Sequence, residues 1–174
     1  TQQVFVILGS AGRGNAGAGW DQLRESEFRV SFHELSERPF PQLLEALSGL
    51  PRNSLVVDLS GFGGRSDNLV RPQEAMQRMS EVSTAPIYGV FDPLVGYGLV
   101  GAVATPMDAI GRATAALVLQ VLSRKNADPL PAVQDLAAVP LVDWRQLRRW
   151  GLRQIQLPVG SVVRFEPPSF WRQH

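Results

Sequence analysis

Gly12, Gly14 and Gly17 stand in a G-x-G-x-x-G spacing, with the acidic Glu34 further along the chain. That spacing can hold a dinucleotide pyrophosphate on a helix N-terminus by close backbone approach, the carboxylate accepting from a ribose hydroxyl. In such a site the first glycine makes the tight turn directly at a strand end. Here Gly9, Ser10 and Ala11 intervene, and the whole stretch is dense in glycine. The spacing therefore describes a glycine-rich loop at a sheet edge at least as well as a cofactor fingerprint. Ser60, in Leu59-Ser60-Gly61-Phe62-Gly63, lacks the preceding glycine of a nucleophile elbow, and His33 would have to serve it from a neighbouring strand. His33 reads instead as a strand-end residue bonded to backbone. The glycines at 61, 63 and 64 are not followed by the G-K-[ST] of a phosphate cradle.

Composition removes further classes of chemistry. There is no Cys and there are two His, so thiolate metal sites, disulfides, Cys nucleophiles and a His-based metal centre all drop out, and no cofactor is expected. Seventeen basic against sixteen acidic residues leave no charge excess to attract nucleic acid, and the four Trp are too dispersed to form a stacking platform. No run approaches the roughly 20 apolar residues that span a bilayer. An apolar fraction of 44% is that of a chain with a buried core.

The elements that would position these residues alternate. Residues 4–8, 28–32, 54–59 and 87–91 read as strands from their short apolar, β-branched runs, while 41–50 and 72–82 carry helical periodicity. Strands separated by helices imply right-handed crossovers and a mainly parallel sheet with helices on both faces, a Rossmann-like α/β layout. Beyond Asp92 the glycines at 96, 98 and 101 loosen the chain ahead of one long Ala-rich helix over 107–123, whose Ile110, Ala113, Leu117 and Leu122 face is suited to a sheet. Asp128, Pro129 and Pro131 make a stiff exit. A strand over 139–142, a helix over 144–150 capped by Asp143 and stopped by Gly151, and a last strand over 162–165 complete the chain. The division expected is 1–104 for the Rossmann-like lobe and 105–174 for a crossover helix with return segments.

The second half is more specifically worded. It contains Ala-Pro-Ile-Tyr-Gly-Val-Phe-Asp over 85–92, Val-Gly-Tyr-Gly-Leu-Val-Gly over 95–101, Val-Asp-Trp-Arg-Gln-Leu-Arg-Arg-Trp-Gly-Leu over 142–152, and Pro-Pro-Ser-Phe-Trp over 167–171. This series resembles the extracytoplasmic sensor domains of bacterial membrane histidine kinases that are related to ABC-transporter substrate-binding proteins. The resemblance implies a type I periplasmic-binding-protein fold, with ligand held between Rossmann-like lobes, of which this chain is long enough for one, the membrane-proximal lobe. Two departures from the family wording are Ala102, where a second glycine is more usual, and the loop over 61–68, where an Asp-Gly pair is expected earlier than Asp67.

What the resemblance implies for function is small-ligand sensing in the periplasm, with no catalysis in this chain, as the input of a two-component system. Gly9, Ser10, Phe62, Phe91, Asp92 and Tyr97 are the candidate ligand contacts: aromatic rings for flat apolar contact, Asp92 for a cationic group, the loop amides and Ser10 as neutral donors. Asp92 before Pro93 also fits a turn starter, and Tyr97 between glycines also fits a cover for the sheet edge. The resemblance further implies a membrane tether after His174, beyond the proline pair and Phe170-Trp171-Arg172, and is compatible with a homodimer. Two alternatives stay open, a dinucleotide-binding enzyme domain and a soluble ABC-transporter substrate-binding protein.

Overall fold

The computed structural model describes residues 2–8, 30–36, 38–60, 71–123, 136–153 and 157–168. They build one sheet of seven strands. Its members are β1 (Gln2–Ile7), β2 (Val30–Glu34), β3 (Ser54–Asp58), β4 (Ile87–Gly89), β5 (Gly101–Ala104), β6 (Val139–Asp143) and β7 (Val162–Arg164), in the order β2-β1-β3-β4-β5-β6-β7. The first five run parallel; β6 pairs antiparallel with β5, and β7 runs parallel to β6. The α/β class with a mainly parallel sheet is thus what the alternating pattern predicts.

Four helices accompany the sheet among the described residues: α1 (Phe40–Ser48), α2 (Pro72–Val82), α3 (Met107–Ser123) and α4 (Trp144–Arg149). Proline sets the entry of the first two, since its fixed φ suits the first turn and its missing N–H would be unpaired there anyway. On α1 the buried residues are Leu43 and Leu47, one turn apart; on α2 they are Ala75, Met76, Met79 and Ser80. Both helices lie on the sheet face that carries Phe5, Ile7, Val56 and Ile87. Burying each large side chain of this cluster stabilises by about 1.5–3 kcal/mol. The Thr84 hydroxyl donates to the carbonyls of Leu50 (3.0 Å) and Leu47 (3.3 Å), fastening the end of α1 to the approach to β4. On the opposite face Val4, Val6 and Leu8 form one apolar cluster, and Val100, Val142 and Leu147 of α4 form another.

Several boundaries depart from the sequence pattern, each for a physical reason. β2 extends to Glu34 rather than Phe32, its register fixed by Val4 opposite Phe32 and Val6 opposite Glu34, while the expected start at 28 lies outside the described residues. β4 is cut to three residues because the chain turns at Asp92–Leu94 into a single 3-10 turn. The strand β5 was not expected. Its Gly-Ala-Val-Ala sequence has little β signal, and a Cβ on Gly101 would lie 2.9 Å from the Leu141 carbonyl oxygen, so glycine admits the β6 backbone. Asp143 does cap α4, accepting from the Arg145 amide at 2.9 Å, and Gly151 at φ +65° ends it, with Leu152 N bonded back to Leu147 O.

The largest departure is α3. It extends over 107–123 as its periodicity predicts, yet none of its residues is buried. Ala109, Ala113 and Leu117 are half-buried, whereas Ile110 and Leu122, expected against a sheet, are 36% and 76% exposed. The helix is amphipathic toward a surface that the described residues do not supply.

Candidate ligand-binding edge

The strand order reverses around β1, which has β2 on one side and β3 on the other. In open parallel sheets the carboxyl ends at such a switch point form a crevice, because the crossovers on either side leave to opposite faces. Three residues stand there: Leu8 just beyond β1, Asp58 at the end of β3, and Ser60. Leu8 N donates to Ser36 Oγ at 2.8 Å, which closes the β2 side.

Asp58 is the chemically notable group. It follows the apolar run Leu55-Val56-Val57 and, two residues after Val56, points to the face that α1 and α2 cover. Its side chain is fully buried. Oδ1 accepts from Ser60 N (3.0 Å) and Ser60 Oγ (2.6 Å), whereas Oδ2 has no hydrogen-bond partner among the described residues. Burial pushes the carboxyl above its usual range, and the two Ser60 bonds only partly reverse this. A buried carboxylate oxygen without a donor costs about 1–3 kcal/mol or more, so it is a group prepared to accept a donor or to hold a proton.

The loop that follows β4 carries three of the sequence candidates together. Phe91 and Tyr97 are 40% and 46% exposed and flank the turn that begins at Asp92. Asp92 is buried, and both its oxygens are engaged within the chain. Arg164 of β7 binds them through two guanidinium nitrogens, Nη2 to Oδ2 at 3.2 Å and Nη1 to Oδ1, and the amide of Met107 at the start of α3 donates to Oδ2 at 2.6 Å. Burial would raise this carboxyl, but Arg164 and the Met107 amide outweigh it and hold it below the ordinary carboxylate range. Asp92 thus already has a cationic partner, Arg164, within the chain. Beside it Arg145 donates to Gly96 O at 3.0 Å and lies 4.1 Å over the ring of Phe165.

Gly9, Ser10 and Phe62 lie outside the described residues, as do Gly12, Gly14 and Gly17. Glu34 is exposed at the end of β2. His33 stacks on the Phe5 ring with centroids 4.9 Å apart, while the Ser60 hydroxyl donates to Asp58. Asp58 was missed by the sequence reading, although an acidic residue closing an apolar strand run was the available signal. Among the described residues no group of His, Cys, Asp or Glu is arranged to hold a metal ion, and no helix is long and apolar enough to cross a membrane.

No protein-family model matches the chain, and no curated sequence matches it. Solved structures do share its fold. A conserved domain protein from Vibrio cholerae aligns with a TM-score of 0.61 at 15% identity over 93% of this chain and 54% of its own. The ligand-free, open structure of a substrate binding protein with adhesive properties from Clostridium difficile gives 0.59 at 16% identity, over 93% and 54%. An ABC domain in complex with L-Trp from Streptococcus pneumonia gives 0.55 at 14% identity, over 86% and 50%. The chain spans about half the length of these structures.

Proposed function

We propose that this chain is one lobe of an extracytoplasmic small-ligand receptor, non-enzymatic in itself, which in its parent protein feeds a membrane histidine kinase. The observation that carries ligand binding is the carboxyl edge of the sheet. There a fully buried Asp58 with an unpartnered oxygen stands at the switch point, beside the strand β4 whose continuation carries Phe91, in a fold shared with substrate-binding structures. Rings for flat contact and one acceptor suit a small molecule with an apolar body and a hydrogen-bond donor. Amino acids fall in that class, and L-Trp is bound by one structural relative. The exposed apolar face of α3 suits a second lobe, and half-coverage of the relatives leaves room for one. The sensor assignment rests on the wording of the second half of the sequence, and the membrane tether is expected beyond residue 174.

A soluble ABC-transporter substrate-binding protein fits the same fold equally well, favoured by the substrate binding protein among the relatives. Gene sequence after His174 separates the two: an apolar stretch of about 20 residues followed by a kinase supports the sensor, and a stop codon supports the transporter protein. Ligand binding is tested by thermal shift with an amino-acid, organic-acid and aromatic library on the full extracytoplasmic region and on this chain. Ligand at 100 times its Kd stabilises by about 2.7 kcal/mol. A hit whose shift is lost in Asp58→Asn supports the edge as the site. Saturable nicotinamide or flavin binding that is lost in Gly14→Val, with no library hit, would overturn the receptor reading in favour of a dinucleotide enzyme.

A further inference from the structure

On the sheet face opposite Asp58 there is a cavity of about 280 Å³. Tyr88, Val100 and Val142 form its floor, Leu147 of α4 and Leu157 stand over it, and Arg153 lines its rim. Asp143 N bonds to Val100 O beside the cavity, where α4 departs. We propose that this cavity is a second binding site, for a small amphipathic monocarboxylate such as a medium-chain fatty acid.

Its size and lining set it apart from a packing defect. The cavity opens to the surface beside the exposed Val103 and Arg153, and it approaches the ~300 Å³ at which ligand pockets start. The walls are almost wholly apolar and include no carboxylate. Two polar groups interrupt them. The Tyr88 hydroxyl is raised above its ordinary range by burial, so it stays a neutral O–H donor at physiological pH. Arg153 is exposed and offers a guanidinium fork. Its neighbours are committed elsewhere: Arg145 to Asp143, Arg148 over the Trp144 ring, Arg149 to Ser80. Among the described residues neither Arg153 nor the Tyr88 hydroxyl has a hydrogen-bond or ionic partner. A guanidinium at the rim of an apolar cavity selects a carboxylate head on an apolar tail. It rejects an ammonium group, which would meet Arg153 and find no acid.

The test is calorimetric titration of the 174-residue chain with octanoate and, as its uncharged counterpart, 1-octanol. Octanoate is expected to bind one to one and roughly three- to tenfold tighter than octanol, the worth of one partly exposed charge-assisted contact. Arg153→Gln should bring octanoate down to the octanol value and leave octanol unchanged. Val103→Trp should fill the cavity and abolish both; Val103 lines the cavity and is 61% exposed, so the larger ring can turn into the cavity without displacing a buried neighbour. Should that variant fail to fold, the exposed Arg153→Gln still decides. Equal affinities for octanoate and octanol in the unmodified chain overturn the proposal, as does octanoate binding that survives Val103→Trp, which would place the fatty acid on the apolar face of α3.

Discussion

Removing Arg164 should destabilise the fold far more than removing a surface arginine. The Asp92 carboxylate is 5% exposed and takes two guanidinium nitrogens and the Met107 amide, while Arg164 is 32% exposed. Breaking a fully buried pair costs about 3–5 kcal/mol, because the survivor is left charged and unpaired. Partial access of water to Arg164 reduces this, so Arg164→Met should cost about 2–3 kcal/mol. Asp92→Asn keeps an acceptor for the Met107 amide and should cost about 1–2 kcal/mol. The double variant should then fall short of additivity by about 1–2 kcal/mol, measured by urea unfolding of all four proteins. The pH dependence has a definite sign. Because the folded-state pKa of Asp92 is depressed, its stabilisation is fully present above the unfolded value and is lost as pH falls through the folded one, below the ordinary carboxylate range. Coupling should therefore be the same at pH 7 and pH 5 and collapse only in stronger acid. A coupling below about 0.3 kcal/mol at pH 7, or one that fades between pH 7 and pH 5, would refute the role given to this pair.

Asp58 should behave in the opposite sense. Its folded pKa is raised, so the fold loses stability as pH climbs from the unfolded value through the folded one, and Asp58→Asn should remove that slope and unfold at higher urea than the parent at pH 7. Persistence of the slope in the variant, in urea titrations from pH 4 to 8, would count against it. Gly98→Ala should cost about 2–4 kcal/mol, since φ is +124° and a Cβ would lie 2.2 Å from Ser80 Cβ; Ser80→Gly should relieve the clash but leave the backbone cost. On α3, Leu119→Ser with Leu122→Ser, at 67% and 76% exposure, should change the unfolding free energy of this chain by no more than about 0.5 kcal/mol. The same pair should elute more sharply on size exclusion, and it should destabilise a longer protein containing a second lobe.

Elements governed by local signals were legible in the sequence. Pro72 and the spacing of Ala75, Met76 and Met79 gave α2 its bounds, and the Asp143 cap and Gly151 gave α4 its start and stop. What depended on distant chain was not. β5 is a strand because β4 and β6 flank it, not because Gly-Ala-Val-Ala prefers one. The half-buried stripe of α3 is Ala109, Ala113 and Leu117, since the direction of the helix is set by its start against Asp92 and not by its most apolar face. At the candidate site the pattern located Phe91, Asp92 and Tyr97 on one turn. It could not show that Asp92 is answered from 72 residues away, nor that Asp58 keeps one oxygen unanswered.

Under the proposed receptor function, those two carboxylates would have different parts. Asp58 is at the proposed ligand edge, and an unpaired buried oxygen gains most from a donor, so on that proposal differential affinity would arise there. Asp92 is already satisfied, and its value is mechanical. It joins the turn bearing Phe91 to the start of α3 through Met107 and to β7 through Arg164, while Arg145 holds Gly96, further along the same loop, against Phe165. A ligand that moves Phe91 or Tyr97 must carry β7 and α3 with it or break a buried ion pair at a cost of about 2–3 kcal/mol. Moving them together is the cheaper course. On the proposed receptor function, β7 and the exposed helix α3 are therefore the two described elements through which occupancy of this edge would be passed on.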